Sequence, residues 1–173
     1  MWSYMEARGA TPLLHPYSVE APSMLSTPRY FTTENAHPFD EVAWEVGDVI
    51  IQGKDGPVFA AQGVEFPAFW SQRACDIVAS KYFRVVDGAH ETSVRDMIGR
   101  VSWWIAGTGV DDGYFSRADS EIFREELQHI LLNQYASFNS PVWFNVGVQE
   151  QPQTSACFTT TVEDSMESIL EWY

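Results

Sequence analysis

The chain has 173 residues, of which 45% are hydrophobic and 14% aromatic, so it can bury a core and is not expected to be disordered. Ten basic and twenty-four acidic residues give a net charge of −14, which disfavours nonspecific binding to nucleic acid or anionic membranes. Because the sequence has no run of about 18 apolar residues and no signal-peptide pattern at its start, we expect no transmembrane helix and a cytoplasmic location.

The first third of the chain predicts a lead-in followed by a β-hairpin. Residues 1 to about 38 are rich in Pro, Ser and Thr, which is typical of an extended or partly disordered segment. The β-prone residues 48–52 and 57–62 flank the turn signal Gly53-Lys54-Asp55-Gly56, so a hairpin is predicted there. Residues 63–67 then interrupt the strand pattern.

Three segments with helical periodicity follow, the second of which has the most regular apolar spacing. Their boundary signals are Ser71 for the first, Thr92 or Ser93 and then Gly107 and Gly109 for the second, and Ser116 with Asp119 for the third. Each helix has one polar face, which predicts that the three pack together or against a larger body.

The last part of the sequence combines a turn, a thiol and an acidic segment. Residues 139–147 are a polar stretch among aromatics, in which Ser140 precedes a proline and is expected to be extended, either in a simple turn or facing a ligand. Residues 155–162 predict a strand that carries Cys157. Residues 163–170 predict the start of a helix, in which Asp164 or Ser165 could cap the helix and could also contact a hydroxyl or phosphate group.

Cys157 has several interpretations from its residue type alone. It could be a nucleophile, a metal ligand, a redox partner or a small buried hydrophobic residue. The absence of a CxxC pattern or a nearby His/Cys cluster argues against zinc, and we assign no metal ligands. Cys75, within a predicted helix, is interpreted as a packing residue.

A family resemblance rests on several motifs in a fixed order. The three near the end are FNSPVWFNVG at 138–147, SACF at 155–158 and VEDSMESIL at 162–170. The upstream ones are YFTT at 30–33, HPFDEV at 37–42, GVEFP at 63–67, WSQ at 70–72, ASKYF at 79–83 and DGYF at 112–115. Together they resemble the N-terminal part of class II ribonucleotide reductases, the adenosylcobalamin-dependent kind.

The resemblance implies an α+β architecture: a mainly helical N-terminal domain with a small hairpin, followed by the first strand of a ten-stranded α/β barrel. We therefore expect a leader at 1–27, the helical domain at 28–135, and the truncated start of the barrel at 136–173. Because the predicted final helix reaches Tyr173 without a stop signal, the chain is expected to be a piece of a longer protein.

The resemblance also implies roles for individual residues. Cys157 matches one half of a redox-active cysteine pair. That pair reduces the 2′ position of a ribonucleotide after a cobalamin-initiated thiyl radical, on a third cysteine, has removed the 3′ hydrogen. Ser140, Ala156 and Cys157 match the substrate-contacting residues, whereas Asp164, Ser165 and Met166 match a segment that binds a deoxynucleoside triphosphate effector.

The expected substrate is a ribonucleoside diphosphate, with thioredoxin or glutaredoxin as the reductant and a homodimer left open. The radical cysteine, the second redox cysteine and most of the cobalamin site match nothing in this chain, so the chain alone is expected to be inactive. A second interpretation is a noncatalytic acidic module from a truncated reading frame, which would bind a nucleotide or a protein.

Overall fold

A computed structural model describes residues 24–159 and 161–172. The strands form two antiparallel hairpins, and the helices follow the first of them in sequence. The strands are β1 (Trp44–Gly53), β2 (Gly56–Pro67), β3 (Val85–Val86) and β4 (Ala89–His90). The helices are α1 (Gln72–Ile77), α2 (Val94–Asp111), α3 (Arg117–Leu132), α4 (Ser140–Asn145) and α5 (Met166–Trp172). This mixture of helices and small antiparallel sheets confirms the α+β class.

The long hairpin extends beyond the predicted strands. The expectation that residues 63–67 would interrupt β2 is wrong, because a β-bulge absorbs the irregularity: Gln62 and Gly63 face Asp48 alone. Gly63 takes a φ of +65°, and its N–H donates to the Asp48 carboxylate at 3.0 Å. The strand then continues inward and buries Val64, which is 1% exposed.

Side-chain caps begin the three predicted helices, as the sequence indicates. Ser71 accepts from the N–H of Ala74, and Ser116 accepts from the N–H of Asp119. Ser93 and Asp96 form a reciprocal capping box at the start of α2. Immediately after α1, the chain widens into a π-helical turn at Val78–Tyr82, which the N–H of Phe83 closes by donating to the carbonyl of Val78.

The predicted end of α2 is wrong, because the helix runs through both glycines to Asp111. Gly107 has open space where a side chain would begin, so it can stay within the helix. Gly109 has a packing role: a Cβ there would lie 2.7 Å from Cε2 of Phe115. Phe115 in turn stacks on Phe123 of α3 with ring centroids 4.7 Å apart. The glycine is therefore a close-approach site between α2 and the loop that leads to α3, and it does not terminate α2.

The core lies between α2, the inner half of the long hairpin, α3 and α4. Its most buried apolar members, each at most 1% exposed, are Val49, Val64, Val94, Ile98, Val101, Leu132 and Val146. Trp70 joins the start of α1 to the end of α3, because its indole N–H donates to the carbonyl of Leu132 at 2.9 Å.

The lead-in is only partly covered by the structure. Residues 1–23 lie outside the described residues, and with them most of the predicted leader at 1–27. Residues 25–32 have no helix or strand of their own and are docked on the α2–α3 region, so of the two alternatives, extended or partly disordered, disorder is wrong for this part. Leu25 forms an isolated parallel β-bridge with Phe115, and the backbone N–H of Thr27 donates to the Asp119 carboxylate. The next residues bind the buried carboxylate of Glu126.

Across the two described ranges, we find no helix with the length and apolar character that crossing a membrane requires.

Candidate functional site

Ser140 lies in the first turn of α4, so the expectation that it is extended is wrong, and so is the alternative of a simple turn. Asn139 takes the extended conformation as the N-cap, and Pro141 stands within the first turn, where its missing N–H costs nothing. The Ser140 hydroxyl lies 3.1 Å from the hydroxyl of Tyr82. Tyr82 also stacks on Phe144 with ring centroids 5.4 Å apart. Its hydroxyl and its ring therefore both contact residues of α4.

A cavity of about 380 Å³ adjoins Tyr82, one member of this hydroxyl pair. It is lined by side chains of the four helices α1 to α4, of the π turn and of the loops before α1 and after α3. Among them are Trp70, Val78, Met97 and Trp143, and Tyr82 lies on its wall. This lining is mainly apolar, which suits an apolar group better than a phosphate.

Two arginines bind the carboxyl end of α4. Arg100 donates to the carbonyls of Val146 at 2.5 Å and Trp143 at 3.1 Å, and Arg84 donates to the carbonyl of Phe144 at 3.3 Å. Burial, together with the positive charge of Arg100, lowers the pKa of Arg84. The carboxylate of Glu91 lies between the two, accepting from Arg100 Nε at 2.7 Å and from the backbone N–H of Arg84 at 2.8 Å.

The run that carries Ala156 and Cys157 follows α4 but is not a strand. The structure gives 155–159 and 161–162 no regular secondary structure, and Thr160 lies outside the described residues. A strand requires a neighbouring backbone to complete its hydrogen bonds, and the described residues provide none for this run. Ala156 and Cys157 are both exposed.

Hydrogen bonds nevertheless tie the start of this run to α4. The side-chain amide of Asn139 donates to the carbonyl of Thr154 at 3.1 Å, and that of Asn145 donates to the carbonyl of Gln153 at 2.7 Å. Asn139 is the neighbour of Ser140, and Thr154 stands three residues before Cys157. The structure therefore holds the segments of Ser140 and of Cys157 against each other.

The predicted effector segment forms a helix start, as the sequence indicates. Ser165 accepts from the N–H of Ser168 at 3.2 Å, which is the N-cap pattern, and α5 begins at Met166. Asp164, Ser165 and Met166 are exposed. The hydrogen bonds of this segment, such as that from Glu163 N–H to the Ser168 hydroxyl, stay within it among the described residues. The structure thus does not join this segment to Ser140 through hydrogen bonds.

Sequence reasoning missed the polar residues that hold α4, namely Tyr82, Arg84, Glu91 and Arg100. Their partners lie 7 to 60 residues away along the chain. No local pattern in a single sequence reports such pairs. The positive φ of Gly147, at +72°, does have a sequence signal, since a glycine follows the C-cap residue of α4.

The described residues do not fit a metal or a cobalamin on their own. They contain no group of three or more His, Cys, Asp or Glu residues that could hold a metal ion. The cavity beside Tyr82 offers mainly apolar contacts and no ligand for a metal centre. We therefore derive no step through the cofactor from these residues.

Comparisons with known proteins agree on one family. Residues 45–88 match the family model described as class II vitamin B12-dependent ribonucleotide reductase. A vitamin B12-dependent ribonucleotide reductase of Streptomyces coelicolor is 52% identical over 154 residues, which cover 86% of this chain and 16% of the relative. This chain matches the N-terminal region of class II ribonucleotide reductases. The resemblance seen in the motifs is thereby confirmed.

Two further relatives match the same share of their own length. A vitamin B12-dependent ribonucleotide reductase of Streptomyces clavuligerus is 51% identical over 150 residues, and one of Rhodopirellula baltica is 36% identical over 167 residues. These alignments cover 84% and 77% of this chain, and 16% of each relative. The chain therefore spans about one-sixth of the length of the reductases that it matches.

Proposed function

We propose that this chain is the N-terminal region of an enzyme that reduces ribonucleotides to deoxyribonucleotides for DNA synthesis and repair, with a vitamin B12 cofactor. The observation that carries this proposal is the 52% identity across 86% of the chain to a reductase of that name. In this proposal residues 28–135 are the helical domain, residues 136–173 begin the catalytic α/β barrel, and residues 1–27 are a leader.

Cys157 acts in this proposal as one half of a dithiol reductant. The two thiols together give up two electrons and two protons and become a disulfide, while the ribose 2′ hydroxyl leaves as water and a hydrogen takes its place. The exposure of Cys157 supports this role, because a thiol that reacts with substrate and is later re-reduced must be accessible. The second cysteine of the pair lies outside this chain.

Ser140 and Ala156 contact the substrate beside Cys157. The hydrogen bonds from Asn139 and Asn145 to the following run support this grouping, because they keep the two segments together. The Ser140 hydroxyl already has a polar partner in Tyr82, which orients it before a substrate binds. The substrate is a ribonucleoside diphosphate.

The effector, the cofactor and the external reductant complete the proposed enzyme. Asp164, Ser165 and Met166 contribute to a deoxynucleoside triphosphate effector site. Adenosylcobalamin supplies the radical chemistry when bound, on residues beyond this chain. Thioredoxin or glutaredoxin restores the dithiol, and the whole enzyme works in the cytoplasm, where a homodimer would be its assembly. The 173-residue chain alone is inactive.

A chimaera tests the proposal. This chain replaces the matching N-terminal region of the Streptomyces coelicolor reductase, and deoxyribonucleotide formation is measured with a ribonucleoside diphosphate, adenosylcobalamin and a dithiol. We expect turnover from the chimaera and none from the isolated chain. Cys157→Ser should abolish turnover, because the pair can no longer form a disulfide, whereas Cys75→Ser should retain it.

Two results would contradict the proposal. One is an inactive chimaera that is folded and soluble, since the region would then not replace its relative. The other is a Cys157→Ser chimaera as active as its parent, which would remove the thiol from the chemistry.

A further inference from the structure

The carboxyl end of α4 depends on side chains from elsewhere in the chain. The last carbonyls of any helix lack partners within it, and those of a short helix are a large share of its backbone. Here Arg100 of α2 satisfies two of them and Arg84 a third, at Trp143, Val146 and Phe144. The positive charge of a guanidinium at this end also interacts favourably with the negative end of the helix dipole.

Glu91 fixes the direction of the Arg100 guanidinium. The two side chains are 5% and 6% exposed, and two hydrogen bonds join them, at 2.7 Å and 3.2 Å. With Nε and Nη2 on the carboxylate, Nη1 and Nη2 reach the two carbonyls of α4. Only a planar fork can serve all of these acceptors at once, so lysine cannot replace this arginine.

The chain leaves α4 directly across the stem of Arg100. Gly147 takes a φ of +72°, and a Cβ at this position would lie 2.5 Å from Cγ of Arg100. The residue that follows the C-cap of α4 is therefore in contact with the same side chain that binds the helix carbonyls. This contact is independent of the hydrogen bonds and points to the same role for Arg100.

We propose that Arg100, directed by Glu91, is a positioning residue for Ser140 and Cys157. Its bonds set the placement of α4, and Asn139 and Asn145 transmit that placement to the run before Cys157. This inference rests on the proposed function, in which Ser140 and Cys157 meet one substrate. A displacement of about 1 Å in such a group can lower a rate about 100-fold.

The first test uses the chain itself and does not involve catalysis. Hydrogen exchange of a peptide spanning 140–148 is compared among wild type, Arg100→Lys, Glu91→Gln and the control Arg95→Lys. Arg95 lies on the same helix and also pairs with a carboxylate, that of Glu65 at 3.2 Å, on the long hairpin. We expect exchange in this peptide to rise about tenfold in the first two variants, because its opening free energy falls, and to stay unchanged in the control.

The second test uses the active chimaera. We expect Arg100→Lys to raise KM for the ribonucleotide and to lower kcat/KM by about tenfold or more, because the group that contacts the substrate has moved. Arg95→Lys should leave both constants unchanged. Gly147→Ala keeps both charges but disturbs the contact with Arg100, and should shift the constants in the same direction.

The outcomes separate this inference from the function on which it rests. An inactive parent chimaera counts against the proposed function. An active chimaera in which Arg100→Lys behaves like Arg95→Lys overturns the inference alone. The inference is also overturned if the Arg100 and Glu91 variants lower only kcat, in proportion to their folded fraction, or if neither variant folds. In both cases the Arg100–Glu91 pair would serve stability and not the placement of α4.

Discussion

The carboxylate of Glu126 holds the docked lead-in to α3, and neutralising it should loosen that contact. One of its oxygens accepts from the N–H groups of Tyr30 and Thr32 and from the Thr32 hydroxyl, at 2.6 to 3.1 Å. The other accepts from the N–H of Phe31 at 2.9 Å. The residue is 8% exposed, so water cannot readily replace these bonds.

Glu126→Gln changes the charge with almost no change in shape. The amide keeps one acceptor oxygen but presents an NH₂ group to a backbone N–H, so at least one bond to a charged acceptor is lost. Such a bond contributes about 1.5–3 kcal/mol, and we expect the free energy of unfolding to fall by about this amount. At a typical dependence of about 1–3 kcal/mol per M, the urea midpoint should fall by about 1 M.

The pH dependence gives the same substitution a second readout. Burial opposes ionisation, but the Thr32 hydroxyl and the backbone N–H groups outweigh it and lower the pKa of Glu126. The resulting stability is therefore present above the pKa of an unfolded glutamate, about 4.3, and is lost as pH falls through the lower folded value. Glu126→Gln should flatten this part of the stability profile.

Glu121→Gln is the matched control, because Glu121 is an exposed carboxylate on the same helix. Urea unfolding from pH 3 to pH 7 should show a change of less than about 0.5 kcal/mol for this control. The reasoning is refuted if Glu126→Gln is as mild as Glu121→Gln, or if it keeps the full acid dependence of wild type.

Two other predictions concern packing and thiol access. Gly109→Ala should destabilise the chain by about 1–3 kcal/mol in urea unfolding, because the new Cβ meets Phe115, whereas Gly107→Ala should be neutral or stabilising by up to about 1 kcal/mol. Equal effects of the two would refute the packing role. In native protein one thiol, Cys157, should react quickly with a disulfide reagent, while Cys75 should react only on unfolding, since burial and then Asp76 raise its pKa. Two fast thiols would contradict this.

The sequence predicts the elements whose signals are local. Each of the three helices begins with a serine whose hydroxyl accepts from a backbone N–H two or three residues later, at Ser71, Ser93 and Ser116. Neighbouring residues alone therefore determine where each helix starts. The hairpin turn is equally local. The extent of each element is harder to predict. The bulge at Gly63 and the passage of α2 through Gly109 depend on contacts across the core, which no window of neighbouring residues contains.

The candidate site divides in the same way. Ser140 and Cys157 were identified only through motifs shared with a family. Nothing in the local sequence distinguishes Ser140 from other polar serines or Cys157 from a packing cysteine. The strand predicted around Cys157 failed because β-propensity forms a strand only where a partner backbone is available. Arg100 and Glu91 could not be predicted, since their meeting depends on how α2, α4 and the short hairpin pack together.

The most direct test of the central claim is a single turnover of the chimaera without external reductant. After a ribonucleoside diphosphate and adenosylcobalamin are added, the product is counted and the peptide that contains Cys157 is analysed for its thiol state. The proposal predicts that Cys157 enters a disulfide as each deoxyribonucleotide forms, in equal amounts. Product that forms while Cys157 remains a thiol would contradict it.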